Sequence, residues 1–181
     1  MDPRFLAHNS HRDSKEHFAL LDPQLRRLKA LPYVHASPII TELPNVPGVY
    51  TITGGRQVGK STLLKQWMQR LLEQNIPPQH IAFFTGEIID DHHGLLFQLQ
   101  DELADASKDH LYYFAVDEVT YIKNWDQAVK FAVDAGLLDN VILVLTGSDS
   151  ILIQEARKRF PGRRGHADKV DFHYYPLSFR E

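Results

Sequence analysis

Residues 54–61 form a short segment whose residue types suit the binding of phosphate groups. They read Gly-Gly-Arg-Gln-Val-Gly-Lys-Ser and fit the phosphate-binding loop (P-loop) pattern G-x-x-x-x-G-K-[ST]. Glycines let the backbone curl so that successive N–H groups converge on phosphate oxygens, and a following helix adds the positive end of its dipole. Lys60 can reach the β- and γ-phosphates of a nucleotide, and the Ser61 hydroxyl can ligate Mg²⁺.

The simpler alternative for this segment is a glycine-rich turn that carries a surface lysine. The P-loop interpretation is favoured because the segment follows an apolar strand and precedes an amphipathic helix, as the motif requires. We therefore expect a nucleotide to contact Gly54, Gly55, Arg56, Gln57, Val58, Gly59, Lys60, Ser61 and Thr62.

A second segment, residues 112–118, combines an apolar strand with two carboxylates at its end. This arrangement is typical of a Walker B strand, in which Asp117 holds Mg²⁺ directly or through water. Glu118 then polarises the attacking water as a general base. The alternative is an acidic strand end that faces solvent.

A third segment, residues 141–148, is an apolar strand that ends in Thr146-Gly147-Ser148. Because functional sites of parallel sheets lie at the carboxyl ends of the strands, Ser148 can contact the γ-phosphate or orient water. Ser148 also suits the N-cap of a following helix, and both roles can hold together.

A basic stretch follows, and three interpretations of it stay open. It contains Arg157, Lys158, Arg159, Arg163 and Arg164 around Pro161-Gly162. The stretch can supply an arginine finger or phosphate sensor to the same or a neighbouring subunit. It can also form a nucleic-acid patch, or a solvated helix end at which cations meet the helix dipole.

The elements that must position these residues alternate between strands and helices. Apolar runs predict strands over 48–53, 80–85, 111–117, 141–146 and 169–175. Helical spacing and capping signals predict helices over 22–31, 60–74, 92–106, 125–135 and 149–160. We therefore predict an α/β fold with a parallel sheet of about five strands that is covered by helices on both faces.

The chain has 181 residues, and its composition excludes several classes of protein. With no cysteine, it has no disulfide framework, Cys-ligated zinc site or thiol nucleophile. A net charge of −3 gives no general attraction to nucleic acid, so any such contact needs a local patch. No apolar run approaches the roughly 18 residues of a membrane helix, and a cytoplasmic protein without a membrane partner is the default expectation.

The chain divides at about residue 47. Residues 1–47 are expected to form an N-terminal extension: a loosely ordered start, a short helix capped by Asp22, and a proline-rich linker over 32–48. Residues 48–181 are expected to form the P-loop domain. We expect a bound adenine ring to stack on apolar residues of the segment 38–48.

Taken together, five segments resemble the prokaryotic AAA-type ATPase domain. They are GGRQVGKSTLL (54–64), YYFAVDEVTYIKNWDQAVK (112–130), VILVLTGSDSILI (141–153), FPGR (160–163) and YPLSFRE (175–181). The resemblance implies an additional-strand P-loop core, with the sensor 1 strand between the Walker A and Walker B strands. It also implies ATP, Mg²⁺ and slow hydrolysis. The implied catalytic residues are Lys60, Glu118, Ser148 and the Gly-Arg arginine Arg163, and the implied metal ligands are Ser61 and Asp117.

The chain departs from that family in two respects. Gly55 stands where family members usually carry proline, which loosens the loop without removing a hydrogen-bond donor. Members also usually continue for about 200 residues beyond the Pro-Leu-Ser-Phe segment, often into a nuclease-like domain. We therefore expect a C-terminally truncated form.

The leading functional hypothesis is an ATP-hydrolysing switch or motor module. One alternative is a small-molecule P-loop kinase, against which Glu118 argues because a water-activating carboxylate is a liability in a kinase. Another is a nucleotide-gated binding module with negligible turnover. ATP is favoured over GTP because no Asn-Lys-x-Asp motif is present. A homo-oligomer and an unidentified protein or DNA partner are possible under each hypothesis.

Overall fold

Five parallel strands form the centre of the molecule. The structure is a computed structural model that describes residues 1–148, 153–154, 158, 165 and 167–176. The strands are β1 (Gly48–Thr53), β2 (Ile81–Thr85), β3 (Tyr112–Asp117), β4 (Val141–Gly147) and β5 (Asp171–His173). Their order in the sheet is β2-β3-β4-β1-β5, and every neighbouring pair is parallel. The predicted α/β fold is confirmed, and β4 lies between β1 and β3 as the additional-strand arrangement requires.

Six α-helices accompany the sheet in the described part of the chain. They are α1 (Phe18–Leu21), α2 (Pro23–Lys29), α3 (Ile39–Glu42), α4 (Lys60–Glu73), α5 (His92–Glu102) and α6 (Trp125–Asp134). Short 3₁₀ turns cover Pro3–His8, Ser10–Arg12, Pro78–His80, Gly86–Ile88 and Val119–Tyr121. Helix α5 ends four residues before the predicted limit. The helix predicted over 149–160 falls mostly outside the described residues.

The strands are buried on both faces, because alternate side chains enter two separate apolar clusters. Val49, Phe114 and Leu143 point to the face that is covered by α5 and α6. Tyr50 and Val144 point to the opposite face, which is covered by α4 and the N-terminal helices. This two-sided burial explains why the strands read as continuous apolar runs rather than as alternating patterns.

Residues 1–12 are well packed, so the expected loosely ordered start is wrong. Phe5 is fully buried in the α5/α6 cluster and meets Phe84 edge to face. The Asn9 amide accepts from the Phe83 N–H and donates to the Phe83 carbonyl, both at 2.8 Å. Asn9 thereby pairs with the free side of β2 as a neighbouring strand would. Polar side chains with partners more than seventy residues away leave no periodic pattern in the sequence.

The expected linker over 32–48 also contains structure. Helix α3 begins directly after Pro38, whose fixed φ suits the start of a helix. Ile39 and Ile40 are buried in the same apolar cluster as α4. The short helix predicted around Asp22 is confirmed as α2, since the Asp22 carboxylate accepts from the N–H groups of Gln24 and Leu25.

Candidate functional site

The P-loop connects the end of β1 to the start of α4. Gln57 and Gly59 adopt positive φ values of 61° and 98°, which curl the backbone ahead of Lys60. Gly59 relieves the strain that a side chain would cause at such an angle. Gly54 has no room for a Cβ, which would collide with the carbonyl oxygen of Tyr174. Tyr174 follows β5, and burial raises the pKa of its hydroxyl. Nothing in the sequence indicated that Tyr174 lies beside the P-loop.

The ammonium group of Lys60 lies at the centre of a polar cluster. Its Nζ donates to the carbonyl oxygens of Gly54 and Gly55 at 3.2 and 2.9 Å. It also donates to the Ser148 hydroxyl at 3.2 Å and lies 3.3 Å from Oε1 of Glu118. The loop that precedes α4 thus holds its own lysine against the residues that follow β3 and β4.

Glu118 contacts β4 as well as Lys60. Its two carboxylate oxygens accept from the Ser148 hydroxyl at 2.7 and 2.9 Å, and Oε2 accepts from the Ser148 N–H at 3.1 Å. The backbone of Glu118 is left-handed, with φ 50° and ψ 48°. Residues other than glycine and asparagine rarely adopt this conformation, and it costs of order 1–3 kcal/mol where it occurs.

Thr146 holds the side chain of Asp117 and the backbone of Glu118 at the end of β3, and no role was predicted for it from the sequence. Its fully buried hydroxyl donates to Oδ1 of Asp117 at 2.6 Å and accepts from the N–H of Glu118 at 3.0 Å. Thr146 lies in β4, and Ser148 follows the end of that strand two residues later. Because alternate residues of a strand point to the same side, the position of Thr146 two residues before Ser148 could have indicated that it faces the same site.

A cavity of about 550 Å³ opens beside this cluster. The P-loop and α4 contribute Gln57, Gly59, Lys60, Ser61 and Thr62, Glu118 adds a carboxylate, and the N-terminal extension contributes Gln24, Arg27, Leu28 and Leu31. Four residues of the P-loop do not line it: Gly54, Gly55, Arg56 and Val58. The volume lies within the usual range for small-molecule sites of roughly 300–1,000 Å³.

None of residues 38–48 lines this cavity, and the stacking of adenine on that segment stays a prediction. Residues 40–45 instead line a second cavity together with Arg70 and Gln74, near the C-terminal end of α4. The P-loop lies at the opposite end of α4.

The basic stretch 157–164 lies almost entirely outside the described residues. Arg163 and Arg164 are outside them, as are the Pro-Leu-Ser-Phe residues 177–179. Lys158 is described and exposed. The structure brings Lys60, Glu118 and Ser148 together.

The residues present fit a magnesium ion bound with a nucleotide. Mg²⁺ takes hard oxygen ligands, usually one or two protein groups together with phosphate oxygens. Ser61 offers a hydroxyl in the cavity wall, and Asp117 offers a carboxylate at the end of β3. Thr146 donates to one oxygen of Asp117, which leaves lone pairs of the carboxylate for a ligand or a water.

Comparison with known proteins decides the family. A sequence model of the AAA domain family matches residues 47–181, about three quarters of the chain. This protein belongs to the AAA domain family. A relative from Haemophilus influenzae, described as an uncharacterized protein, is 29% identical over 139 residues, which cover 74% of this chain and 32% of the relative.

Three solved structures have folds similar to that of this chain. The Walker-type ATPase of Pyrococcus abyssi is 16% identical with a TM-score of 0.51, over 78% of this chain and 52% of that one. Cdc6p from Pyrobaculum aerophilum is 13% identical with a TM-score of 0.53, over 98% and 48%. The ORC2 protein of Aeropyrum pernix, solved in ADPNP-ADP complexes, is 14% identical with a TM-score of 0.55, over 88% and 50%.

These likenesses establish the fold of a P-loop ATPase. At such low identities they show architecture alone, and the AAA family match adds nucleotide binding as a general property. The chain spans about half the length of the similar structures and about a third of the Haemophilus relative. Within the described residues, no helix combines the length and the apolar character that a membrane crossing requires.

Proposed function

We propose that this AAA domain hydrolyses ATP in the presence of Mg²⁺ and uses the reaction as a switch or motor. The observation that carries the proposal is a single cavity lined by the P-loop residues Lys60 and Ser61 and by the carboxylate of Glu118. A cation for the phosphates, a hydroxyl for the metal and a base for water therefore border one space large enough for a nucleotide.

In the proposed reaction, a water molecule attacks the γ-phosphorus in line with the bond to the β–γ bridging oxygen. A new P–O bond forms as that bond breaks, and ADP leaves with the bonding electron pair. Glu118 takes the proton from the attacking water. Lys60 offsets the charge that develops on the phosphate oxygens, and Ser148 orients Glu118 through hydrogen bonds from its hydroxyl and from its N–H.

Ser61 and Asp117 are the proposed ligands of the magnesium ion. When bound, the ion supplies positive charge next to the phosphate oxygens of the nucleotide. Thr146 holds the Asp117 carboxylate in place by the 2.6 Å hydrogen bond to Oδ1. This arrangement agrees with the general preference of Mg²⁺ for few protein ligands in nucleotide sites.

The nucleotide-gated binding module is the second candidate, and the position of Glu118 favours it. The carboxylate accepts hydrogen bonds from Ser148 and lies 3.3 Å from the ammonium of Lys60, so it is engaged rather than free to polarise water. In the hydrolase, ATP draws Lys60 onto its phosphates and releases Glu118. In the binding module, Glu118 stays engaged and turnover is negligible.

The decisive test measures phosphate release and ATP binding for wild type, Lys60→Ala and Glu118→Gln, with and without DNA. We expect Lys60→Ala to lose ATP binding, and Glu118→Gln to keep binding while phosphate release falls by about 10²–10⁴-fold. The kinase alternative predicts no release until an acceptor is added.

Other outcomes contradict particular parts of the proposal. Normal ATP affinity in Lys60→Ala would remove the P-loop assignment. Binding without release in the wild type would favour the binding module. Release that is stimulated by DNA would indicate a nucleic-acid partner.

A further inference from the structure

One helix of the N-terminal extension lines the same cavity as the P-loop. Gln24, Arg27, Leu28 and Leu31 line the cavity together with Lys60. These four residues follow the spacing i, i+3, i+4, i+7, so they form a single face of α2 and of the turn that continues it. Helix α2 lies outside residues 47–181, the part that the AAA family model matches.

We propose that Arg27 binds the phosphate groups of the nucleotide in the cavity that it lines together with Lys60. This inference rests on the proposed function, because it assigns a further residue to the same nucleotide site. A guanidinium suits the role because its planar N–H groups can donate two parallel hydrogen bonds to a phosphate.

The charge of the cavity lining supports this assignment. Its charged residues are Lys60, Glu118 and Arg27. Lys60 and Glu118 carry opposite charges and lie 3.3 Å apart, so together they contribute no net charge. Arg27 therefore supplies the net positive charge of the lining, which the binding of a polyphosphate needs.

The guanidinium of Arg27 is also available. Arg4 and Arg12 of the same extension form ion pairs with Asp2 and Glu102, at 2.8 and 2.7 Å. Among the residues that the structure describes, none forms an ion pair with Arg27, which is exposed. Within the described residues, no carboxylate therefore competes with a ligand of the cavity for this guanidinium.

The position of Arg27 is fixed from the other side of α2. Leu25 is buried in the apolar cluster, and Asp22 caps the helix and pairs with Lys65 of α4 at 3.2 Å. Lys65 and Lys60 lie on the same helix, five residues apart. Helix α2 is therefore anchored to the helix that begins at the P-loop.

The test compares Arg27→Ala with Arg26→Ala, a matched control. Arg26 is the neighbouring exposed arginine of α2 and is not part of the cavity lining. Binding of ATP and of inorganic tripolyphosphate is measured by calorimetry in Mg²⁺-free buffer. We expect Arg27→Ala to weaken both ligands by about tenfold, in line with the loss of one charged hydrogen-bonding group. Arg27→Lys should restore part of the affinity, and Arg26→Ala should match wild type.

The outcomes separate this inference from the proposed function. If Arg27→Ala and Arg26→Ala bind ATP equally well while Lys60→Ala abolishes ATP binding, this inference is overturned and the proposed function stands. Weaker ATP binding with unchanged tripolyphosphate binding would also overturn it, since Arg27 would then contact the base or ribose. A wild type that binds neither ligand would remove both proposals. As a control, the unfolding temperature of the ligand-free Arg27→Ala variant is measured. A value equal to that of wild type shows that the substitution leaves the fold intact.

Discussion

Glu118 is both the proposed general base and a residue with a strained, left-handed backbone conformation. Its left-handed backbone has a hydrogen bond from its N–H to Thr146, and its side chain reaches Ser148 and Lys60. Such strain persists only where the surroundings over-determine the conformation. The hydroxyl of Thr146 in β4 therefore holds the backbone of the proposed base, and the hydroxyl of Ser148 just beyond β4 holds its carboxylate.

Replacing Thr146 by valine tests this arrangement at the residue scale. Valine has nearly the same shape but leaves the N–H of Glu118 and Oδ1 of Asp117 without the hydroxyl. We expect a loss of about 1–3 kcal/mol in the free energy of unfolding, measured by urea denaturation, and a lower rate of phosphate release. Thr146→Ser keeps the hydroxyl and is the control. A valine variant with wild-type stability and turnover would show that the Thr146 hydroxyl does not hold the site.

At the scale of elements, a buried ion pair connects α2 to α4. Lys65 and Asp22 are 1% and 2% exposed, and Lys65 also donates to the carbonyl of His8 at 2.5 Å. Burial lowers the pKa of Lys65 to about 8, although the nearby Asp22 carboxylate acts in the opposite direction. Lys65 therefore connects two parts of the extension, at His8 and at Asp22, to the P-loop helix.

Asp22→Asn should be destabilising because it leaves the buried Lys65 charge without its counterion. We expect a loss of about 3–5 kcal/mol in the free energy of unfolding, measured by urea denaturation at pH 7. Asparagine still caps α2, so the cap is not the cause. The double variant Asp22→Asn/Lys65→Met removes the charge as well and should recover much of the loss. A single variant within 1 kcal/mol of wild type would contradict this account.

How far the sequence predicted these elements depends on the kind of signal. The strands were predictable because residues such as Ile142 and Leu143 both lie in the core and give unbroken apolar runs. The P-loop was predictable because its chemistry is local. Asn9 and Arg27 were not, since their partners or surroundings come from distant parts of the chain. Helix α2 was predicted, but nothing in its own sequence indicates which face meets the P-loop.

At the scale of the whole molecule, acid should weaken the packing of the N-terminal extension on the sheet. His11 is fully buried, and its Nε2 lies 3.1 Å from the carbonyl oxygen of Ile81. Burial lowers the pKa of His11 from 6.5 to about 4. Between these values the unfolded chain binds more protons than the folded one, so stability falls as the pH decreases through that window. The contribution amounts to about 3 kcal/mol when the pH reaches 4.

The pH dependence is measured as the free energy of unfolding from pH 7 to pH 4. His11→Gln keeps a side-chain donor but cannot take up the proton, so its stability should fall less over this range than that of wild type. His17→Gln is the control, since His17 is an exposed residue of the same extension. Identical pH profiles for His11→Gln and wild type would exclude His11 as the cause.

Asn9 and two residues that follow it cover the outer edge of β2. Strand β2 stands at one end of the described sheet, and Asn9, His11 and Arg12 occupy the outward backbone groups of Phe83 and Ile81. An uncovered edge strand is a template for pairing with other chains. A chain shortened to begin at residue 47 would keep the whole family-matched region but expose this edge, and its characteristic failure would be aggregation through β2.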